Sequence, residues 1–129
     1  MRGAGGNTSK PGWPRSTVTT TGEPLPGRGE VWWVRVDKRR PAIVIQSNAV
    51  REPRVRTFLV VPLTSRLHLA ELPGNVQLSR KVTGLPKDSV ANVYDVQKAL
   101  RADFLERAGA LPAESLASLD AGLRLVLHL

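Results

Sequence analysis

The chain contains no cysteine among its 129 residues and only two histidines, His68 and His128, 60 positions apart. That removes disulfides, thiolate zinc sites and thiol nucleophiles together and leaves no recognisable metal site, so chemistry without metal or cofactor is expected. No apolar run reaches the roughly 18 residues that a membrane-spanning helix needs. The first 27 residues, rich in Gly, Pro and Thr, lack the continuous apolar stretch of a secretory signal. They predict a disordered N-terminal extension ahead of one folded domain over 28–129, in a cytoplasmic protein.

What the chain has in excess is positive charge, +8 at neutral pH. Residues 1–29 carry four basic side chains against one acidic, a balance of +3, and residues 30–66 carry eight against three, a balance of +5. From 67 to 129 seven basic residues offset seven acidic ones. The field therefore belongs to the first half of the folded part. It is built mostly from arginine, whose fork matches phosphate better than solubility alone would require. A polyanion partner, most simply nucleic acid, is one reading, and a solvated basic face is the other.

The patterning predicts mostly β-structure. "EVWWVRV" (30–36) and "PAIVIQ" (41–46), joined by the short "DKRR", read as an antiparallel hairpin. "TFLVVPL" (57–63) is a third strand, with Pro62 implying an edge or a bulge. "NVQLS" (75–79) and "SVANVYDV" (89–96) alternate as half-exposed strands. The period then changes: "ADFLERAG" (102–109) reads as a short helix stopped by Gly109, and residues 112–129 as a longer one opened by Pro112. In that helix Leu116, Leu119, Leu123, Val126 and Leu127 form one stripe, and His128 falls where a helix end is capped. About five short antiparallel strands and a terminal helix are most economically closed into a small barrel, too narrow to hold a ligand. Function then belongs on the outer surface or between chains.

"RGEVWWVRV", "RRPAIVIQSN", "VVPLTS", "LPGNVQLS" and "GLPKDSVANV" occur in the order and at roughly the spacing of the MazF/PemK family of bacterial toxin endoribonucleases. The terminal "LPAESLASLDAGLRLVLHL" is similar to that family's closing helix. The resemblance covers about residues 28–129. It implies an SH3-like barrel, a homodimer, metal-independent cleavage of single-stranded RNA, and inhibition by a cognate MazE-like antitoxin. Where many relatives carry a longer first hairpin loop, this chain has only "DKRR", which leaves base preference open.

The same resemblance implies site residues. Arg40, just before Pro41, matches the family's catalytic arginine, and Thr64, in "PLTS", its catalytic hydroxyl. Arg40 starts the second strand and Thr64 ends the third, so in an antiparallel pair the two meet at a common phosphate. Arg39 is the alternative active guanidinium, because the doubled arginine leaves the register ambiguous. Arg39, Ser47, Asn48, Arg54, Ser65 and Arg66 are the candidate RNA contacts. For Asn48 a turn-forming role is the alternative, and for the loop arginines Arg51, Arg54 and Arg56 it is solvated charge. His68 is a candidate general base outside the family's motif. Trp32 and Trp33, adjacent on a strand, must face opposite sides, one in the core and one at a surface where it could stack a base or fill an interface. Two rival functions use the same barrel: a non-enzymatic CcdB-like poison of DNA gyrase, and an RNA-binding barrel that does not cut.

Overall fold

A computed structural model describes residues 25–50 and 52–129. Residues 1–24, most of the expected extension, and Arg51 lie outside the described residues. Leu25 packs against a core cluster and Pro26 is fully buried, so both join the folded domain although they precede its expected start at residue 28.

Among the described residues seven strands, β1 (Glu30–Arg35), β2 (Arg39–Val44), β3 (Thr57–Thr64), β4 (Val76–Leu78), β5 (Ser89–Ala91), β6 (Gln97–Leu100) and β7 (Phe104–Ala110), pair antiparallel throughout. Their order in the curled sheet is β4-β5-β3-β2-β1-β7, with β6 pairing β3 beside β5. A one-turn helix α1 (Arg80–Thr83) links β4 to β5, and α2 (Ala113–Leu127) closes the chain. This is the expected mostly β architecture with a terminal helix.

Each face of the sheet carries its own buried cluster. Val31, Ile43, Val61, Leu63, Leu119 and Leu123 belong to one cluster, and α2 lies on it. Trp32, Val34, Val44, Phe58, Val60 and Phe104 belong to the other. In the second, the rings of Trp32 and Phe58 each meet Phe104 edge-on, at 5.6 and 5.4 Å between centroids, the arrangement that ring quadrupoles favour. Trp32 is the core tryptophan. Trp33 is half-buried on the opposite face.

The segment 102–109 is not an α-helix: Ala102 and Asp103 finish a 3₁₀ turn (Arg101–Asp103), and β7 then pairs with β1 over most of its length. The pairs run Trp32↔Arg107, Trp33↔Glu106 and Val34↔Phe104, with register shifts between Val31 and Trp32 and between Trp33 and Val34. Ala108 and Leu105 are thereby skipped. Each bulge inserts one residue and breaks period-two alternation, which is why the segment imitates a helical period. Without β7, the outer edge of β1 would leave its N–H and C=O groups unpaired.

Pro62 likewise lies in neither an edge strand nor a bulge. β3 is central, paired with β2 on one side and with β6 (57–60) and β5 (63–64) on the other. The Pro62 carbonyl accepts from Asn92 N–H at 3.1 Å, so its missing donor faces the same side, in the gap between β6 and β5 where no ladder bond is due. The expected strand over 89–96 stops at Ala91. Asn92 ends it with its side-chain oxygen accepting the Tyr94 N–H at 3.2 Å, an Asx turn.

Helix α2 runs as expected, with Pro112 at its N-cap and His128 at its C-cap in the left-handed region (φ 59°). Leu119 and Leu123 are buried and Leu116 and Val126 partly so, but Leu127 is 50% exposed and leaves the stripe. Gly122 permits the close approach of α2 to the Gly74 turn: a Cβ there would lie 2.0 Å from the Gly74 carbonyl oxygen. Arg28 ties the same helix to the start of β1, its guanidinium 2.6 Å from Asp120 and its Nε donating to the Ile45 carbonyl at 2.9 Å.

Candidate active site

The β2–β3 register runs Val44↔Val60, Ile43↔Val61 and Ala42↔Pro62; carried two residues further, it would put Arg40 opposite Thr64. Directly opposed residues share a face of the sheet, with Cβ atoms typically about 5 Å apart while the strands stay in register. Arg40 also pairs with Val34, which is buried in the Trp32 cluster, so Arg40 continues that face outward into solvent. The doubled arginine is thus divided between two faces.

Their partners differ accordingly. The Arg39 guanidinium lies over the Trp33 ring, 4.3 Å from its centroid, and donates to Glu106 at 3.1 Å. The Arg40 side chain is exposed and forms no ion pair or hydrogen bond with a described residue. Thr64 is half-buried, and its Oγ1 accepts the Arg66 backbone N–H at 3.2 Å. That bond occupies a lone pair and leaves the hydroxyl proton free to donate. A guanidinium fork and a free O–H donor are the kinds of group that an anionic centre would need from such a pair.

Ser65 and Arg66 follow directly and are exposed, as is His68 in the 3₁₀ turn Leu67–Glu71. The remaining candidates lie elsewhere. Ser47, Asn48 and Arg54 belong to the connection between the end of β2 and the start of β3, at the opposite end of strands that span roughly 20 Å. Ser47 Oγ accepts the Ala49 N–H at 3.0 Å, and the Asn48 side-chain oxygen accepts the Arg28 N–H at 2.8 Å. Arg54 is paired with Glu52; that bond lowers the Glu52 pKa and raises that of Arg54, both side chains being exposed to water. Arg40 at the start of β2, and Thr64, Ser65 and Arg66 at and just past the end of β3, thus lie towards one end of the β2–β3 pair, and Ser47, Asn48 and Arg54 towards the other. Among the described residues no three His, Asp or Glu side chains gather as metal ligands would.

Two further cations stand at the Thr64 end. An open depression of about 490 Å³ is lined by Ser65, Leu67, Arg80, Pro86, Lys87 and Asp88. Strand polarity explains the convergence: the end of β4, the start of β5 and the end of β3 all meet there, through the pairs Leu78↔Ser89 and Thr64↔Val90. Sequence reading missed Arg80 and Lys87 because the second half of the chain is neutral in total. The alternation of strand direction along 57–91 was the signal that could have found them.

Comparisons with known proteins agree with this fold. A family model described as PemK-like, MazF-like toxin of type II toxin-antitoxin system matches residues 27–127. Endoribonuclease MazF6 of Mycobacterium tuberculosis is 38% identical over 110 residues, covering 79% of this chain and 96% of that protein. Probable endoribonuclease MazF5 of the same organism is 35% identical over 89 residues, 67% of this chain and 79% of that protein. Among solved structures, the M. tuberculosis toxin MazF-mt6 superposes with a TM-score of 0.68 at 24% identity, covering 78% of this chain and 97% of that one. A MazE-MazF crystal structure from Deinococcus radiodurans gives 0.66 at 25% identity, covering 81% and 98%. With its strand order, its terminal helix and nearly all of its described length matched, this chain belongs to the PemK-like, MazF-like toxin family of type II toxin–antitoxin systems.

Proposed function

We propose that this chain is the endoribonuclease toxin of a type II toxin–antitoxin pair and that it cuts single-stranded RNA at Arg40 and Thr64. Family membership supports the class of activity, since relatives at 35–38% identity are named endoribonucleases. The site reading is supported by the β2–β3 register, which, carried two residues past Ala42↔Pro62, would put Arg40, whose side chain has no ion-pair or hydrogen-bond partner among the described residues, across from Thr64.

RNA brings its own nucleophile. The ribose 2′-oxygen bonds to the adjacent phosphorus as the P–O5′ bond breaks, giving a 2′,3′-cyclic phosphate and a 5′-OH end. The proton leaves the 2′-OH and another reaches O5′. The fork of Arg40 stabilises the charge building on the equatorial oxygens, and the Thr64 hydroxyl donates to the same phosphoryl group. Arg40 acts through the charge and planar fork of its guanidinium rather than as the proton donor. Ser65 and Arg66 hold the flanking chain. Ser47, Asn48 and Arg54 would touch RNA only as a separate patch at the other end of the sheet. Arg39, stacked on Trp33 and paired with Glu106, serves the fold more than the phosphate.

An antitoxin partner follows from the same membership, and relatives have been solved with their cognate antitoxins. The exposed leucines Leu125, Leu127 and Leu129 at the end of α2 support an apolar contact between two copies of the chain. No helix among the described residues is long and apolar enough to cross a membrane, and an mRNA substrate places the activity in the cytoplasm.

The test is incubation of purified protein with mixed-sequence single-stranded RNA in EDTA. Discrete fragments bearing 5′-OH and cyclic phosphate ends are expected. Intact RNA under these conditions overturns the proposal, and gyrase inhibition alongside it would favour the non-enzymatic reading.

A further inference from the structure

We infer that the depression beside Thr64 is a second RNA subsite, in which Arg80 and Lys87 hold backbone phosphates flanking the scissile one; this rests on the endoribonuclease reading above. Four strands present their ends in one row: the start of β2 with Arg40, the end of β3 with Thr64 and Ser65, the approach to β5 with Lys87, and the end of β4 followed by Arg80. Neighbouring strands lie about 4.8 Å apart, so this row extends roughly 14 Å from β2 to β4. An extended polyanion laid on the Arg40–Thr64 pair and running along the row passes over Ser65 and into the depression lined by both cations.

The side chains there suit a nucleic-acid backbone. Arg80 and Lys87 are exposed, and neither forms an ion pair with a described residue. Asp88, the carboxylate in the depression, accepts the Arg80 backbone N–H at 2.9 Å, a bond that shapes the turn and draws on neither cation's side chain. Ser65 adds a hydroxyl, and Leu67 and Pro86 give apolar surface to a ribose or base. Continuity with Thr64 favours RNA over an acidic peptide, which would not need to be in line with the Arg40–Thr64 pair. An acidic peptide is accordingly an outcome of the test.

The experiment measures RNA binding and cleavage for the wild-type protein, Arg80→Gln, Lys87→Gln and the double variant over a range of salt concentrations. All four are checked for equal melting temperatures. Each substitution keeps the backbone N–H bonded to Asp88, so folding is preserved. For long RNA, KM is expected to rise roughly tenfold per cation removed, the loss falling on KM more than on kcat. The slope of log affinity against log salt should become shallower by about 0.7 for each phosphate no longer neutralised. An unchanged slope and KM in a wild-type protein that still cuts RNA would overturn this subsite while leaving the nuclease reading intact. A wild-type protein that does not cut would instead sink that reading. Unchanged RNA binding with weakened binding of an acidic antitoxin-tail peptide would also overturn the subsite, in favour of a protein partner.

Discussion

Arg39 stacks on Trp33, its guanidinium carbon 4.3 Å from the ring centroid, while Arg40, the next residue, extends from the other face of the sheet. Two chemically identical side chains are thereby given different tasks by strand alternation alone.

Replacing Arg39 with Ala should lower stability by about 0.5–1 kcal/mol, the worth of an exposed cation–π contact. Cleavage should fall far less than in Arg40→Ala. Thermal melts and single-turnover rates on the same RNA check both, and a larger catalytic loss at Arg39 would assign the active guanidinium to it instead.

Arg40→Ala and Thr64→Val should each slow cleavage by on the order of a hundredfold or more with the melting temperature unchanged, as for loss of a transition-state donor. Arg40→Lys keeps the charge but not the fork and should recover only part of the rate. Thr64→Ser keeps the O–H and should recover most of it.

The Arg28–Asp120 pair is about one-quarter exposed on each side and joins the start of β1 to α2. Asp120→Ala leaves a half-buried guanidinium with only the Ile45 carbonyl. A loss of about 1–3 kcal/mol in denaturant unfolding is expected. An effect near zero would show that water replaces the carboxylate without cost.

Gly122 faces backbone, not a movable side chain: a methyl group on its Cα would lie 2.0 Å from the Gly74 carbonyl oxygen. Gly122→Ala must push α2 off the Gly74 turn, at a cost of roughly 1–3 kcal/mol. Because helix propensity favours Ala by up to about 1 kcal/mol, a stabilised variant would mean that the turn yields easily.

Glu52, hydrogen-bonded to Arg54, has its pKa lowered from the ordinary 4.5. A depressed folded-state value means that the pair contributes above the unfolded pKa and is lost as pH falls through the folded one. NMR titration should find Glu52 ionising below 4.5, and Arg54→Ala should return it towards that value. High salt should do the same in part, because the pair is fully in water.

Much of the fold was legible. The hairpin of β1 and β2, β3 with its apolar run, and α2 between Pro112 and His128 each announce themselves through local period and end residues. β7 did not, because two bulges against β1 erase alternation in a seven-residue strand whose partner lies some 70 positions earlier. Pro62 misled for a related reason: whether a proline suits a central strand depends on which neighbour its missing N–H faces, and that neighbour is set by β5 and β6.

The site divides in the same way. The family resemblance brought Arg40 and Thr64 forward, and the antiparallel connection between consecutive strands is what lets the start of one stand near the end of the next. Which of two adjacent arginines remains free, that Ser47, Asn48 and Arg54 stand at the far end, and that Arg80 and Lys87 join Thr64 were decided by tertiary structure alone. Short-range order is written in spacing, whereas the company a side chain keeps depends on the stacking order of strands distant in sequence, which no local pattern encodes.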